Sequence, residues 1–366
     1  MMRICKNTWR LTSVALLSLF FFACGSGADS SSDEENPEEE PVEDVPVEVP
    51  DGYLFFRDDD SGHLKYIPFM GSIADSGFTL VDSEAVDLNM GLDCYHPEVS
   101  PDGKWVAFST SYENSGAVSE LYVKRIGGTR RPKKLDVASA AIPRWRVLPN
   151  GDTVIVYVDD TRVLPSKNIE GDDSEVQRRY EIWKTKGTWM VPFKGGSFGK
   201  PKKIASGTFN GGVSDDLTFM VNGAALLMGR HIVYAKDGSV ESTHDSIWFD
   251  RDQTCNASLS KDGTNRTLFL DMSGAQGIEF AGENYRPHHR ILVVDEYGTL
   301  IDAVPSPDTS AYDHTEWVGF EDYVVGTLQI GEMTHAKIVL VNMRDSSIVN
   351  LVNGGEYWHP NLWVKQ

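Results

Sequence analysis

The chain has 366 residues, 40% of them hydrophobic, and a formal net charge of −20. That length can bury one large core, since all-β and repeat domains often run past two hundred residues undivided. So acidic a chain argues against a nucleic-acid partner and against docking by charge on an anionic membrane surface.

The first fifty residues stand outside the fold. Arg3, Lys6 and Arg10 precede an apolar run over 11–23, LTSVALLSLFFFA, and Cys24 follows it. The run is too short for a spanning helix, which needs about 20 apolar residues, and its basic lead marks a secretory signal. The junction Ala23-Cys24 resembles a bacterial lipobox, with Phe21 where that motif prefers Leu. The resemblance implies lipid attachment at Cys24 and a mature chain that starts there, so residues 1–24 are expected to be a lipoprotein signal. Residues 29–50, DSSSDEENPEEEPVEDVPVEVP, carry ten acidic side chains and no basic one. Self-repulsion and proline keep such a segment extended, and residues 25–50 are expected to form a disordered tether. The first 28 residues contribute +3 and residues 29–50 contribute −10, which leaves −13 on the body, residues 51–366.

Within the body one module recurs. HPEVSPDG (96–103) is followed by IPRWRVLPNGD (142–152), NGGVSDD (210–216), NASLSKDG (256–263), HTEWVGFED (314–322) and HPNLWV (359–364). The lead residues are His96, Ile142, Asn210, Asn256, His314 and His359, spaced 46, 68, 46, 58 and 45 apart. A period near 46 with two insertions is the length of a four-stranded propeller blade. After each turn come apolar runs such as WVAFST (105–110), TVIVYV (153–158), RTLFLD (266–271) and YVVGTL (323–328). Third strands follow at ELYVKRI (120–126), HRILVVDE (289–296) and AKIVLVNM (336–343). Runs apolar on both faces suit blades that stack face against face. Residues 217–250 fit least well, with strands expected at 218–223 and 246–250. The body opens at residues 51–56 without a lead strand, continues through 63–69 and 78–82, and its last module stops after one strand. Joining HPNLWV to the N-terminal blade closes the ring and removes exposed sheet edges. The expected fold is all-β, a six-bladed propeller.

HPEVSPDGKWVAFST followed by ELYVKRIGG (96–110, 120–128) resembles the TolB-like propeller repeat, with its H-P-x-x-S-P-D-G turn and its L-Y-V strand. The likeness covers residues 51–366 and is specific over 94–128. It is nearest to paralogous TolB-like lipoproteins without an assigned function. TolB itself carries an α/β domain before its propeller, and here the acidic tether takes that place. Asp102-Gly103, Asn150-Gly151 and Asp262-Gly263 are turn residues that join the first two strands of a blade.

Function is therefore sought on a face that the blades build together. The two insertions, about 160–187 and 273–288, fall between second and third strands and carry Tyr180, Trp183, Phe280 and Tyr285. These aromatics could stack on a sugar ring or fill a partner's pocket. The same face carries His314, His359 and His96 from three neighbouring blades, with Glu316, Asn361 and Glu98 two residues on and Arg144 at that position in the next. The expected ligand-binding face comprises His96, Glu98, Arg144, Trp183, Tyr285, His314, Glu316 and His359. Its ligand is read as a polysaccharide or another envelope protein, bound without catalysis and without a cofactor. The alternative is a metal-assisted polysaccharide lyase or hydrolase using His96, His314 and His359 with Glu98 or Glu316. No G-x-S-x-G, H-E-x-x-H or P-loop motif is present, and DDDSG (58–62) lacks the ligand ladder of a calcium loop. The expected location is the outer membrane, lipid-anchored, on its periplasmic or cell-surface side. Cys94 and Cys255 precede leads on opposite sides of the channel, too far apart for a disulfide, and are expected to be free thiols.

Overall fold

The computed structural model describes residues 49–75, 77–110, 118–159, 180–181, 183–223, 227–248, 254–271, 285–319, 322–331 and 334–366. The expected signal, Cys24 and nearly all of the tether lie outside these residues, as do most of both insertions and Phe280.

Among the described residues the strands form six sheets. Chain order begins with β1 (Gly52–Asp58), β2 (His63–Phe69) and the two-residue β3 (Val86–Asp87). The second sheet holds β4 (Cys94–Val99), β5 (Trp105–Thr110), β6 (Leu121–Arg125) and β7 (Lys133–Lys134). The third holds β8 (Ala141–Val147), β9 (Thr153–Val158), β10 (Gly187–Lys194), β11 (Ser197–Phe198) and β12 (Lys202–Ser206). The fourth holds β13 (Gly212–Val213), β14 (Phe219–Asn222), β15 (Met228–Tyr234) and β16 (Val240–Ile247). The fifth holds β17 (Thr254–Leu259), β18 (Thr267–Asp271), β19 (Arg290–Val294) and β20 (Leu300–Pro305). The sixth holds β21 (Ala311–Trp317), β22 (Tyr323–Ile330), β23 (Thr334–Asn342) and β24 (Ile348–Asn353). The last strand, β25 (Tyr357–Val364), returns to pair antiparallel with β1, Gly52 facing Val364 and Asp58 facing Tyr357. The chain is a six-bladed β-propeller whose ring is closed by its C-terminal strand.

The cores lie between blades rather than within them. Leu54, Phe56 and Ile67 of blade one pack against Val325, Ile338 and Leu340 of blade six, with Leu362 of β25 among them. Apolar side chains alternate to both faces of β1, β5, β9 and β22, so each strand feeds the interface on either side.

Two expected strands are placed differently. Residues 78–82 do not pair as a strand; Phe78 packs edge-on against Phe69 at 5.0 Å, and Leu80 N–H donates to Leu351 O of blade six. This apolar run is drawn off the sheet edge to cover the seam between blades one and six, and β3 takes the outer position instead. In 217–250 the strand at β14 is found, but β15 intervenes, and the last strand, β16, starts at Val240 rather than at residue 246. β16 carries exposed polar residues that alternate with little hydrophobic contrast, which hides it from pattern reading.

The lead positions have a backbone property in common. His96, Ile142, Asn256, His314 and His359 have φ of 50°, 51°, 52°, 46° and 50°. The strand pairings shift register across each of them, between Tyr95 and Glu98, for example, and between Asp313 and Glu316. Each lead is therefore the extra residue of a bulge, which bends the inner strand and re-aims one side chain. Asn and His are among the residues that tolerate this region best, and Ile142 is the strained exception. Blade four uses Gly212, φ 126°, in place of its lead Asn210. Gly103 meets two demands: the turn needs its φ of 69°, and a Cβ there would lie 2.5 Å from the Trp363 ring.

Candidate functional site

The bulged leads converge on the channel mouth. A small recess there is lined by His96, Pro97, Arg144, Asn256, His314, Glu316, His359 and Pro360. Five of the eight residues expected on the binding face thus meet here. The rings of His96 and His359 have centroids 3.9 Å apart, and those of His314 and His359 4.0 Å apart. Burial depresses all three histidines. His96 and His359 fall well below the ordinary range, helped by Arg144 and His314 for the first and by His96 and His314 for the second. His314 falls to about 4, because burial outweighs the attraction of Asp313. The mouth therefore presents three uncharged imidazoles at neutral pH, each able to accept as well as donate.

Ion pairs also join opposite blades across the channel. Arg144 of blade three donates to Glu316 Oε1 of the opposite blade six at 2.7 Å. Glu98 of blade two pairs with Lys261 of the opposite blade five, and Arg146 Nη1 stands 3.9 Å from it. Glu98 is 1% exposed, and so belongs to the interior rather than to a ligand-binding face. Burial alone would raise its pKa, but Lys261, Arg144 and Arg146 hold the carboxyl below its ordinary range.

In three blades the position two past the lead holds the neighbouring blade rather than facing the mouth. Asn361 Oδ1 accepts Val99 N–H, Glu98 Oε2 accepts Trp145 N–H, and Ser258 Oγ accepts Trp317 N–H. In each case the acceptor reaches the next blade and holds the residue three past its lead. These side chains are staples between blades, and Glu98 is additionally the anion of a buried cluster. Glu98→Gln keeps the size but removes the charge that Lys261 and Arg146 face. Breaking one side of a buried ion pair costs about 3–5 kcal/mol, a loss that denaturant unfolding of the variant measures.

The expected aromatic platform is also reassigned. Trp183 is fully buried, stacked on Tyr180 at 5.4 Å and edge-on to Phe209 at 5.3 Å. Its indole N–H lies 3.2 Å from Asn222 Oδ1 and 3.3 Å from Thr208 O. Gly207, φ 95°, lets the backbone pass the indole where a Cβ would lie 2.3 Å away. Tyr285 is half-buried against the seam between blades four and five, with the Arg290 guanidinium 5.8 Å from its ring centre. Both residues fasten chain to the rim. Cys94 is buried and free, and burial pushes its thiol up to about 12. The Cys255 side chain lies outside the described residues.

Sequence reading missed a second group beside the mouth. His335, on β23, is 3% exposed; its Nδ1 lies 2.7 Å from Glu356 Oε1 and its Nε2 3.1 Å from Asp313 Oδ2. Burial opposes its charge, but these two carboxylates raise its pKa. Asp313 Oδ1 accepts from Asn256 Nδ2 at 2.7 Å and from His314 N–H at 2.8 Å. None of Asp313, His335 and Glu356 occupies a lead position, so the repeat register did not single them out. The one available signal was an acid immediately before the lead His314.

No family model matches the chain, and no curated protein matches it. Solved structures do. The chain is similar to hydrazine synthase from Kuenenia stuttgartiensis, with a TM-score of 0.51 and 10% identity over 87% of this chain and 48% of that one. This chain therefore spans about half the length of that relative. Another is a protein of unknown function from Bacteroides caccae, TM-score 0.47, 10% identity, covering 86% of this chain and 99% of the other. A third is an oligogalacturonate lyase in complex with manganese, TM-score 0.38, 11% identity, covering 84% and 73%. At 10% identity the likeness to hydrazine synthase speaks for the fold alone.

Proposed function

We propose that the chain is a TolB-like propeller lipoprotein of the cell envelope that binds another envelope protein, without catalysis, through its channel mouth. The observation that carries this reading is the mouth recess, where His96, His314, His359 and Asn256 surround the Arg144–Glu316 pair. Such a mouth offers hydrogen-bond donors and acceptors to a polar group laid against it by a partner. Trp183 and Tyr285 are packed into the rim, which weakens the case for a sugar-stacking platform and favours a protein segment over a polysaccharide. The acidic residues 29–50 fit a tether, and Cys24 fits the anchor on the outer membrane.

Capture by the full chain from solubilised envelope proteins, run beside insoluble cell-wall polysaccharides, tests this reading. A discrete envelope protein retained in stoichiometric amount supports it. Retention on polysaccharide alone replaces the partner class, and retention of neither ends the binding reading. In the same preparations Cys24→Ser is expected to shift the chain from the membrane to the soluble fraction.

A further inference from the structure

We propose that Asp313, His314 and His335 form a site for a divalent transition-metal ion at the wall of the channel mouth. Each offers one ligand atom, and the three atoms lie within 4.8 Å of one another. Asp313 Oδ2 is 3.1 Å from His335 Nε2 and 3.8 Å from His314 Nε2. Ligands held at about 2.0–2.2 Å from a common ion stand roughly 3–4 Å apart, so a shift of under about 1 Å closes the set.

A second observation points to a ligand independently. His314 is 6% exposed, and neither of its ring nitrogens has a hydrogen-bond partner among the described residues. A buried polar group left so costs about 1–3 kcal/mol, and coordination through Nε2 offsets that cost. The surroundings are also those of a ligating set. Glu356 Oε1 fixes the His335 ring from its Nδ1 side, which aims Nε2 at Asp313. Glu356 is itself held by Trp358 Nε1 at 3.0 Å and by His335 N–H at 2.9 Å. A carboxylate behind the far nitrogen is how metal-binding imidazoles are commonly oriented. Asn256 and His314 N–H occupy Asp313 Oδ1, which leaves Oδ2 turned to the two imidazoles.

Two imidazoles and one carboxylate suit zinc, manganese or cobalt and are too poor in oxygen for calcium. These are not the ligands that the repeat register suggested: Glu98 and Glu316 are bound to cations, and His335 and Asp313 enter in their place. His314 belongs both to this set and to the mouth recess, so a bound ion would sit beside the proposed docking face.

Calorimetric titration of the full, untagged, chelator-treated chain with Zn²⁺ and with Mn²⁺ tests the site. One ion of at least one of these metals is expected per chain. Asp313→Asn and His314→Ala are expected to lose that uptake, and Glu356→Gln to weaken it about 10–100-fold. Circular dichroism reports whether each variant is folded. Co²⁺ absorption is recorded on the unaltered chain alongside, and a nitrogen-coordinated spectrum is expected. No uptake by the unaltered chain, or an oxygen-only cobalt spectrum, overturns the proposal. So does uptake unchanged in the folded variants, or uptake lost only in His63→Ala, which removes the exposed His63–Asp87 pair. The metal alone is the probe, so a failure to capture an envelope protein leaves this result untouched.

Discussion

A chain lacking residues 357–366 is expected to show no cooperative thermal transition. β25 is the inner strand of blade one, although it lies furthest from that blade in sequence. It buries Tyr357 and Leu362 in the seam with blade six, and lays Trp363 on Tyr53 with ring centres 5.6 Å apart. Asn361 staples it to Val99 of blade two. Each large apolar side chain so buried contributes about 1.5–3 kcal/mol. Tyr357 and Leu362, with the half-buried Trp363 and the strand ladder to β1, come to a large part of the 5–15 kcal/mol net stability typical of a domain. Deletion also leaves the edge of β1 open and uncovers the apolar seam with blade six, and both invite association. The complementary test is a permuted body that places residues 357–366 before residue 51 through a short linker. Gly52 pairs with Val364, so the join is a hairpin, and the permuted chain is expected to melt cooperatively near the unpermuted one. A truncated chain that melts like the parent would show that the ring does not depend on its closing strand.

Acid is expected to unfold the propeller earlier than its carboxylates alone would require. His96, His314 and His359 are held uncharged by burial, whereas in the unfolded chain each takes a proton near pH 6.5. Between there and about pH 4, the folded value of His314, the unfolded state binds more protons. Stability therefore falls as pH drops through that window, by up to about 1.4 kcal/mol per histidine per pH unit. The facing groups are Arg144, Arg57, His288 and His335, which oppose charge, and Asp313 and Glu356, which favour it. The other titrating neighbours act elsewhere. His335, raised by Asp313 and Glu356, contributes fully below pH 6.5 and loses its contribution as pH rises through its raised value. Asp313, held well below the carboxylate range, matters only in stronger acid. His96→Asn with His359→Asn removes two of the three titrations, and Asn suits the left-handed backbone at a lead, as Asn256 already does. Chelator-treated protein unfolded in urea from pH 7.5 to 4 is expected to give a shallower acid slope in the double variant. Equal slopes would place the acid sensitivity elsewhere.

The sequence and the structure agree where a local signal coincides with a repeated one. HPEVSPDG could be placed because its turn chemistry and its period point the same way, and the lead histidines of blades six, one and two do meet. Blade four was obscure because β13 is two residues long and β16 is polar, so neither carries the contrast that periodicity reads. Glu98 was misassigned for a more general reason. Its distance from the lead says which side of the strand it occupies, but not whether the next blade's Trp145 N–H is waiting there. Trp183 illustrates the same limit. An aromatic in an insertion can face solvent or be folded back over the rim, and only the positions of Phe209, Gly207 and Asn222 decide between them. His335 depends on pairing between β22 and β23 within blade six, a contact that no lead register predicts.

On the proposed reading, a partner docks at the channel mouth. This is tested most directly by the affinity of the captured envelope protein for the unaltered chain and for the His96→Asn, His359→Asn variant, compared at pH 7.5 with circular dichroism as the folding control. Binding at least tenfold weaker is expected in a variant that remains folded. Equal affinity would place the docking surface away from the mouth and contradict that reading.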